Sequence, residues 1–423
     1  MRPAVTIGMR ARPLSWSPVM SPARLVILVC TAQVLAQIGA YTWPALLPGF
    51  VERWGLSNSE AGWITSMLYA AYTVSVPVLV TATDRVDPKR IYLLGVGFTV
   101  LGHLGFALFA DGFWSAMVCR ALAGIGWAGT YMTGLKLLAD RVDARLLSRA
   151  TAGHAASIGV SGSVSFLVAG QVAAIWDWPT AFGLSAACAL AAWLIVLFAA
   201  PWQEPKPKTG ARLFDFGPVF RNTSALAYSL AYCVHTWEMN ALRGWCVAFL
   251  AWVALSTEAE AGWFPPTAAA MVMGLVGTGV SVFGNEVSIR LGRQRLVALA
   301  MGLSIVCGLT IGWFGSYSYG LAVTFVLGYG AVIWLDSSSL TAGAAGAADP
   351  ARRGATLAVH SMLGYAGGFV GPITIGIVLD AAGGMSQWGW SLAFGSLAVA
   401  MLAGRIAFTL LRPRDLSGDR ARG

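Results

Sequence analysis

Charge is what this chain has least of. Asp, Glu, Lys and Arg make up 11% of its 423 residues, against roughly a quarter in a soluble protein. A surface that avoids charge this strongly faces something other than water. Histidine is scarcer still, with four residues, and no His-x-x-x-Asp or His-Glu-x-x-His pattern occurs, so a membrane-embedded enzyme is not expected. No Gly-x-x-x-x-Gly-Lys-Ser/Thr loop is present, and ATP therefore does not drive work within this chain. The six cysteines, Cys30, Cys119, Cys188, Cys233, Cys246 and Cys307, form no Cys-x-x-Cys pair and fall inside apolar segments. They read as small buried hydrophobes, with no metal or cofactor expected. No small-residue cleavage site precedes a short apolar core near the start, so a removed signal peptide is not expected.

What is present is apolar. Hydrophobic residues reach 57%, with 50 Gly and 18 Trp, both favoured in membrane helices. A membrane helix takes about 20 apolar residues. Twelve stretches meet that demand: 24–48, 61–82, 91–110, 113–138, 153–175, 179–201, 225–254, 263–289, 296–315, 319–343, 356–380 and 388–411. The fold class is thus an all-α membrane protein of twelve transmembrane helices. The longest connection, 202–224, is rich in Pro and charge. It divides the chain into an N-terminal segment 1–23, a six-helix bundle 24–201, a central loop 202–224, a second bundle 225–411 and a tail 412–423.

Charge placement supports the count. With an even number of spans and both termini in the cytoplasm, the cytoplasmic segments hold every basic residue except Arg53, Arg120 and Arg243. That is the positive-inside pattern. The net charge of +9 is explained by topology. The basic residues sit in short clusters between apolar runs, so nucleic acid is not an expected partner.

The two halves also resemble each other at an offset of about 205 residues. "DRVDPKR" at 84–90 matches "IRLGRQR" at 289–295, Gly124 and Gly126 match Gly328 and Gly330, and His154 and His360 fall at nearly the same depth. Parallel repeats about an axis along the membrane normal are a transporter architecture, with the site between the halves.

On these residues the chain resembles the major facilitator superfamily. "VTATDRVDPKR" is similar to that superfamily's loop signature after helix 2, with Asp84, Arg85, Lys89 and Arg90 matching, although Val80 and Asp87 replace its glycines. "CRALAGIGWAG" resembles its helix 4 pattern through Arg120, Gly124 and Gly126. The resemblance implies two pseudo-symmetric six-helix bundles and alternating access. It also implies that Asp84 pairs with nearby cations and with the N-terminal end of helix 11, a gating latch supported by Arg85, Lys89 and Arg90. Helix 5 lacks the Gly-Pro motif of the drug antiporters, and a Gly-x-x-x-Gly-Pro run stands in helix 11 at Gly367, Gly371 and Pro372. The subgroup is not legible. Working monomers are common in the superfamily, and a monomer is expected here.

Ionisable residues inside spans cost roughly 2.5–3.5 kcal/mol at the bilayer centre, so each needs a reason. Arg120 in helix 4 shares a face with Gly124, Trp127 and Tyr131 by helical spacing. It reads as a cation for an anionic substrate or a partner carboxylate. Asp336, deep in helix 10 and opposite Tyr131 in the repeat, reads as a proton or sodium site, or as a carboxylate satisfied by Ser337 and Ser339. In helix 7, His235 and Glu238 lie three apart on one face, and a His beside a carboxylate titrates near neutral pH, which suits proton coupling. Arg243 is turned away from Glu238 by about 140° at ~100° per residue. Gln33, Gln37 and Tyr41 form a polar stripe on helix 1 that lines the pathway or bonds across a helix interface. His103 in helix 3 reads as structural. Gly159 and Gly162 in helix 5, with Gly364, Gly367, Gly368 and Gly371 in helix 11, are expected where the halves meet.

The resulting expectation is a multi-pass carrier in the inner (plasma) membrane that moves a small solute, with H+ as the coupling ion. Two intramembrane arginines favour an organic anion. Efflux of amphiphilic compounds is the alternative, since eighteen Trp could line a large pocket. A non-transporting membrane sensor with the same fold is the alternative of a different class.

Overall fold

The computed structural model describes residues 21–203, 217–262, 264–416 and 419. Most of the expected N-terminal segment and central loop, and the end of the tail, lie outside the described residues. Those described are helical and turn, with no strand among them. The first half runs α1 (Pro22–Gln37), α2 (Thr42–Ala45), α3 (Leu47–Trp54), α4 (Asn58–Ala82), α5 (Pro88–Phe109), α6 (Phe113–Ala128), α7 (Tyr131–Ala139), α8 (Ala144–Ile175) and α9 (Trp178–Ala199). The second runs α10 (Gly217–Arg221), α11 (Thr223–Ser256), α12 (Pro266–Leu291), α13 (Arg293–Phe314), α14 (Tyr319–Trp334), α15 (Ser337–Ala347), α16 (Arg353–Ala381) and α17 (Gln387–Leu411).

Ten helical stretches among the described residues are long and apolar enough to cross a membrane, and Pro22–Gln37 is a shorter apolar helix. Large apolar side chains point outward along them, as with Val74, Leu108, Phe198, Leu255 and Leu410. In water that arrangement would aggregate; in lipid it is the favourable surface.

The helix ends follow local chemistry. Gly55 takes the left-handed conformation that closes α3. Ser57 and Glu60 then form a reciprocal capping box that starts α4. Asp177 caps α9 by accepting from the Thr180 N–H at 2.8 Å. Asp87 does the same for α5, with Pro88 in the first turn.

Three of the expected spans are not continuous, which corrects the reading of 24–48, 113–138 and 319–343 as single helices. Helix 1 breaks between Gln37 and Thr42. At Gly39 a Cβ would lie 2.5 Å from His103 Nε2, so the backbone can pass there only without a side chain. Pro44 has no N–H, which leaves the Ala40 carbonyl without a helical donor. Helix 4 breaks at Gly129 and Thr130, where the Thr130 hydroxyl folds back onto the Trp127 carbonyl at 3.0 Å. Helix 10 breaks at Leu335 and Asp336, and Asp336 becomes the residue that precedes α15.

Packing between the halves is tight at the end that carries residues 55–58 and 381–386. There Asp380 of α16 accepts from the Asn58 N–H at 3.0 Å, the Asn58 side-chain amide at 2.8 Å and the Ser59 N–H at 2.7 Å. A carboxylate at the start of α4 is well placed against that helix's exposed N–H groups. Nearer the middle, Tyr72 stacks on Tyr365 with ring centroids 3.6 Å apart. A Cβ at Gly159 would meet Thr278 and one at Gly368 would meet Asn240 and Tyr69, so these two serve contacts toward the other half. Gly364, Gly367 and Gly371 instead receive Tyr232, Cys233 and Trp237 of α11, within their own half. Gly162 faces Tyr41, also within its own half.

Candidate functional site

The three breaks converge on one region, and two arginines meet there. Arg120 of α6, 3% exposed, donates through Nη1 to the freed Ala40 carbonyl at 3.2 Å. Its Nε has no hydrogen-bond partner. Arg243 of α11 donates through Nη1 to the Tyr41 hydroxyl at 2.9 Å, a bond that joins the halves. Its guanidinium carbon lies 4.4 Å from the centre of the Trp334 ring and 5.3 Å from that of Tyr41, close enough for cation–π attraction. Among the described residues neither arginine forms an ion pair with Asp or Glu.

Aromatic rings wall this centre. Tyr41 stacks on Phe166 at 5.0 Å and meets Trp127 edge-on at 6.4 Å. Trp127 in turn contacts Tyr69 and Tyr72. The break in helix 4 takes Tyr131 off the continuous face it was expected to share with Arg120. Its carbonyl lies 2.9 Å from His154 Nε2, and its ring stacks on that histidine.

The acids lie in the second half, each with its own partner. Glu238 of α11 accepts from the Tyr329 hydroxyl at 2.6 Å, with the Ser304 hydroxyl also beside the carboxylate. Asp336 lies 3.0 Å from His235 Nδ1. That approach is close but not along the N–H direction, so it is a short polar contact and not an aligned hydrogen bond. Asp336 therefore pairs with His235 of helix 7; among the described residues its side chain makes no bond to Ser337 or Ser339. His235 and Glu238, three apart, each turn to a different residue of helix 10. Sequence spacing alone missed Tyr329 and Trp334, although a Tyr between Gly328 and Gly330 in an apolar run was a visible signal.

The helix 1 stripe bonds across helix interfaces. Gln37 donates to Thr130 Oγ1 at 3.1 Å and so braces the break in helix 4. Gln33 accepts from the Tyr92 hydroxyl at 3.3 Å. His103 is buried against Phe182 and Gly39.

The loop after helix 2 differs from what the resemblance implied. Among the described residues Asp84 forms no ion pair, and Arg85 and Arg90 are exposed. Lys89 is buried and donates to the Leu197 and Ala200 carbonyls at 2.7 and 2.6 Å, where α9 ends. A cation at a helix C-terminus is favourable. Its ammonium also lies 3.9 Å from the Trp202 ring centre. Asp87, in the place of the signature's glycine, carries the electrostatics: it pairs with Arg141 at 2.8 Å and accepts from the Gln203 N–H at 2.7 Å. Burial pushes the Asp87 carboxyl up, but the Gln203 and Lys89 N–H groups and the Arg141 guanidinium outweigh it and hold the carboxyl below its usual range. The second half holds an ion-paired cluster of its own. Arg293 pairs with Asp419 at 3.0 Å, and the Gln294 N–H donates to Asp415 at 2.9 Å.

No group of three or more His, Cys, Asp or Glu placed to hold a metal occurs among the described residues. What the centre offers is two cations without an ion-paired acid among the described residues, set between aromatic walls, with the buried carboxylates of Glu238 and Asp336 in the second half.

The family model of the Major Facilitator Superfamily matches residues 29–372. The chain belongs to the major facilitator superfamily. Within this superfamily of membrane transport proteins, it is 24% identical over 304 residues to human Protein spinster homolog 1, covering 65% of this chain and 56% of that protein. The chain thus matches little more than half the length of that relative. In fold it is similar to a bacterial homologue of the human lysosomal transporter Spinster, solved inward-facing and unoccupied, with a TM-score of 0.71 and 14% identity over 93% of this chain and 96% of that one. It is also similar to the human organic anion transporter MFSD10, with a TM-score of 0.63 and 18% identity over 93% of this chain and 100% of that one.

Proposed function

We propose that this superfamily member is a proton-coupled secondary transporter of a small organic anion with an apolar body. The observation that carries the reading is the pair Arg120, buried in the first half, and Arg243, half-buried in the second beside Tyr41, neither of which forms an ion pair with Asp or Glu among the described residues. Two cations inside the membrane span are costly without an anion, and an anion that bridges them rewards approach of the halves. The walls of Tyr41, Phe166, Trp127 and Trp334 suit an apolar or aromatic body. Similarity to an organic anion transporter supports the same class.

The architecture that goes with this is twelve crossings in two pseudo-symmetric bundles, 24–201 and 225–411, with 1–23, 202–224 and 412–423 cytoplasmic. The ten long stretches supply ten crossings, and the broken segments 22–54 and 113–139 supply the other two. Breaks at 129–130 and 335–336, about 205 residues apart, support the repeat. The chain works as a monomer in the plasma membrane by alternating access. The Asp380 contacts hold the outer end shut while Asp84 is unlatched, which is an inward-facing arrangement. Coupling falls to Glu238 and to the His235–Asp336 pair. Arg120, Arg243, Tyr131 and Gln37 form or brace the substrate region, and Asp84, Arg85, Lys89 and Arg90 act at the cytoplasmic gate.

Counterflow of radiolabelled p-toluenesulfonate and of muconate into proteoliposomes tests the reading. These anions are a permanently charged aromatic and an extended dicarboxylate. Uptake that is lost in Arg120→Gln and in Arg243→Gln supports it; uptake that survives both refutes the site. The aromatic walls also suit efflux of amphiphiles, which predicts altered drug tolerance on deletion with no anion counterflow. A sensor predicts binding without flux.

A further inference from the structure

The second half holds a column of titratable rings that anion binding leaves without a task. His360 of α16 is 2% exposed and stacks on Tyr232 of α11, with ring centroids 4.1 Å apart. Tyr232 stacks in turn on His235 at 5.6 Å. His235 meets Asp336 at 3.0 Å. The Nε2 of His360 lies 3.2 Å from the Thr341 hydroxyl, and its Nδ1 has no partner. Neither ring nitrogen of His235 has an aligned partner either. Five titratable or polar groups on three helices, with buried nitrogens left open, are more than packing requires.

Position along the helices orders the column. His360 stands seven residues into α16, about 10 Å from its start, and His235 stands twelve residues into α11, about 18 Å from its start. Both helices begin at the same end of the bundle, the end proposed above as cytoplasmic. The column therefore climbs from that end to the break in helix 10, where Asp336 sits.

We infer that His360 is the relay through which a proton enters and leaves the His235–Asp336 pair. This rests on the proton-coupled reading above. In the step, an N–H bond of the His360 imidazolium breaks and its electron pair stays on that ring. The proton bonds to a ring nitrogen of His235, directly or through bridging water. The pair passes from a net charge of −1 to zero, which removes most of the cost of holding it in lipid. His360 returns to neutral and is recharged from the cytoplasmic side.

Arg243 and Tyr131 lie within electrostatic reach of Tyr232, and Glu238 within reach of Asp336. Thr341 faces His360 from α15, and Tyr232 and His235 face it from α11. Tyr365, further along α16, is occupied by Tyr72 of α4. Arg221 of α10 is exposed, and Arg405 of α17 is directed at Gly302 of α13. Asp349 and Arg352 precede His360 by about two turns or more. Among the described residues, Asp336 is the acid in ion-pair range of either imidazole.

The test uses the full chain in proteoliposomes with p-toluenesulfonate, measured as accumulation driven by a pH gradient and as counterflow at equal pH. His360→Gln is expected to slow driven uptake by about tenfold or more, the low end for loss of a proton-transfer group, with counterflow within about twofold of wild type. Asp336→Asn is expected to lose the drive altogether. Driven uptake of His360→Gln equal to wild type across about pH 5.5–8 overturns the relay, as does equal loss of both modes in a variant that elutes as a normal monodisperse peak. If His360→Gln fails to fold, Thr341→Val, which removes only the hydroxyl on Nε2, carries the test: a selective loss of driven uptake supports the relay, and none overturns it. A wild type that shows counterflow without any response to the gradient instead removes proton coupling, and the relay with it.

Discussion

Asp380→Asn keeps the shape of the side chain and removes its charge at the point where α16 meets the start of α4. Two backbone N–H groups and one side-chain amide converge on that carboxylate at 2.7–3.0 Å. In a dry site each such charged bond is worth about 1.5–3 kcal/mol. Asp380 is exposed, so water recovers most of that, and a carboxylate at an exposed helix N-terminus keeps about 0.3–1 kcal/mol. Asn still accepts at Oδ1 but presents N–H groups to the Ser59 N–H in place of an oxygen. The net loss is therefore about 1–2 kcal/mol, a factor of about 5–30 in the opening equilibrium. Hydrogen exchange read by mass spectrometry reports this directly, because the Asn58 and Ser59 amides become unprotected when the ends part. Peptides over residues 56–64 should exchange faster by that factor, with those over 83–90 unchanged. Equal exchange rates at 56–64 in the two proteins would refute the idea that this contact holds the end shut.

Arg243→Gln removes a charged bond to Tyr41 and a cation–π contact, and should weaken anion binding by about 2 kcal/mol, roughly thirtyfold, in equilibrium dialysis. Glu238→Leu and Tyr329→Phe should show a coupling energy of about 1 kcal/mol or more in a double-mutant thermal-stability cycle, since each single change strands the other's buried oxygen; additive effects would contradict the bond. Gly367→Ala drives a methyl into the Cys233 carbonyl and should destabilise by about 1–3 kcal/mol, visible as a lower Tm. Asp87 has a lowered carboxyl pKa in the fold, so its contribution is complete above the unfolded carboxylate range and is lost as pH falls through the lowered value. Asp87→Asn should therefore flatten the loss of thermal stability on the acid side, below about pH 4, and lower stability at neutral pH.

The membrane class was legible because lipid makes a blunt demand, a run of apolar residues and charge kept to one side. The family followed from Asp84, Arg85, Lys89, Arg90, Arg120, Gly124 and Gly126. The breaks were not legible. Gly129–Thr130 and Leu335–Asp336 contain no proline, and hydropathy does not register a backbone that turns while its side chains stay apolar. Partner choice was hidden for another reason. His235 and Glu238 look like neighbours on one helix, yet α11 and helix 10 run side by side and offer Asp336 to one and Tyr329 to the other. That pairing joins residues about a hundred apart, and spacing within one helix carries no information on it. Asp87 shows the converse: read as a departure from a glycine, it takes up Arg141 and Gln203.

The interrupted helices 4 and 10 turn two stiff rods into four short levers with a pivot at each joint. A lever can tilt at one end of the bundle without dragging its continuation at the other, so the two ends need not move as one piece. Because Asp336 sits in one joint and Gln37 braces the other through Thr130, a change of protonation or of bonding there acts at the fulcrum, where a small torque gives the largest swing.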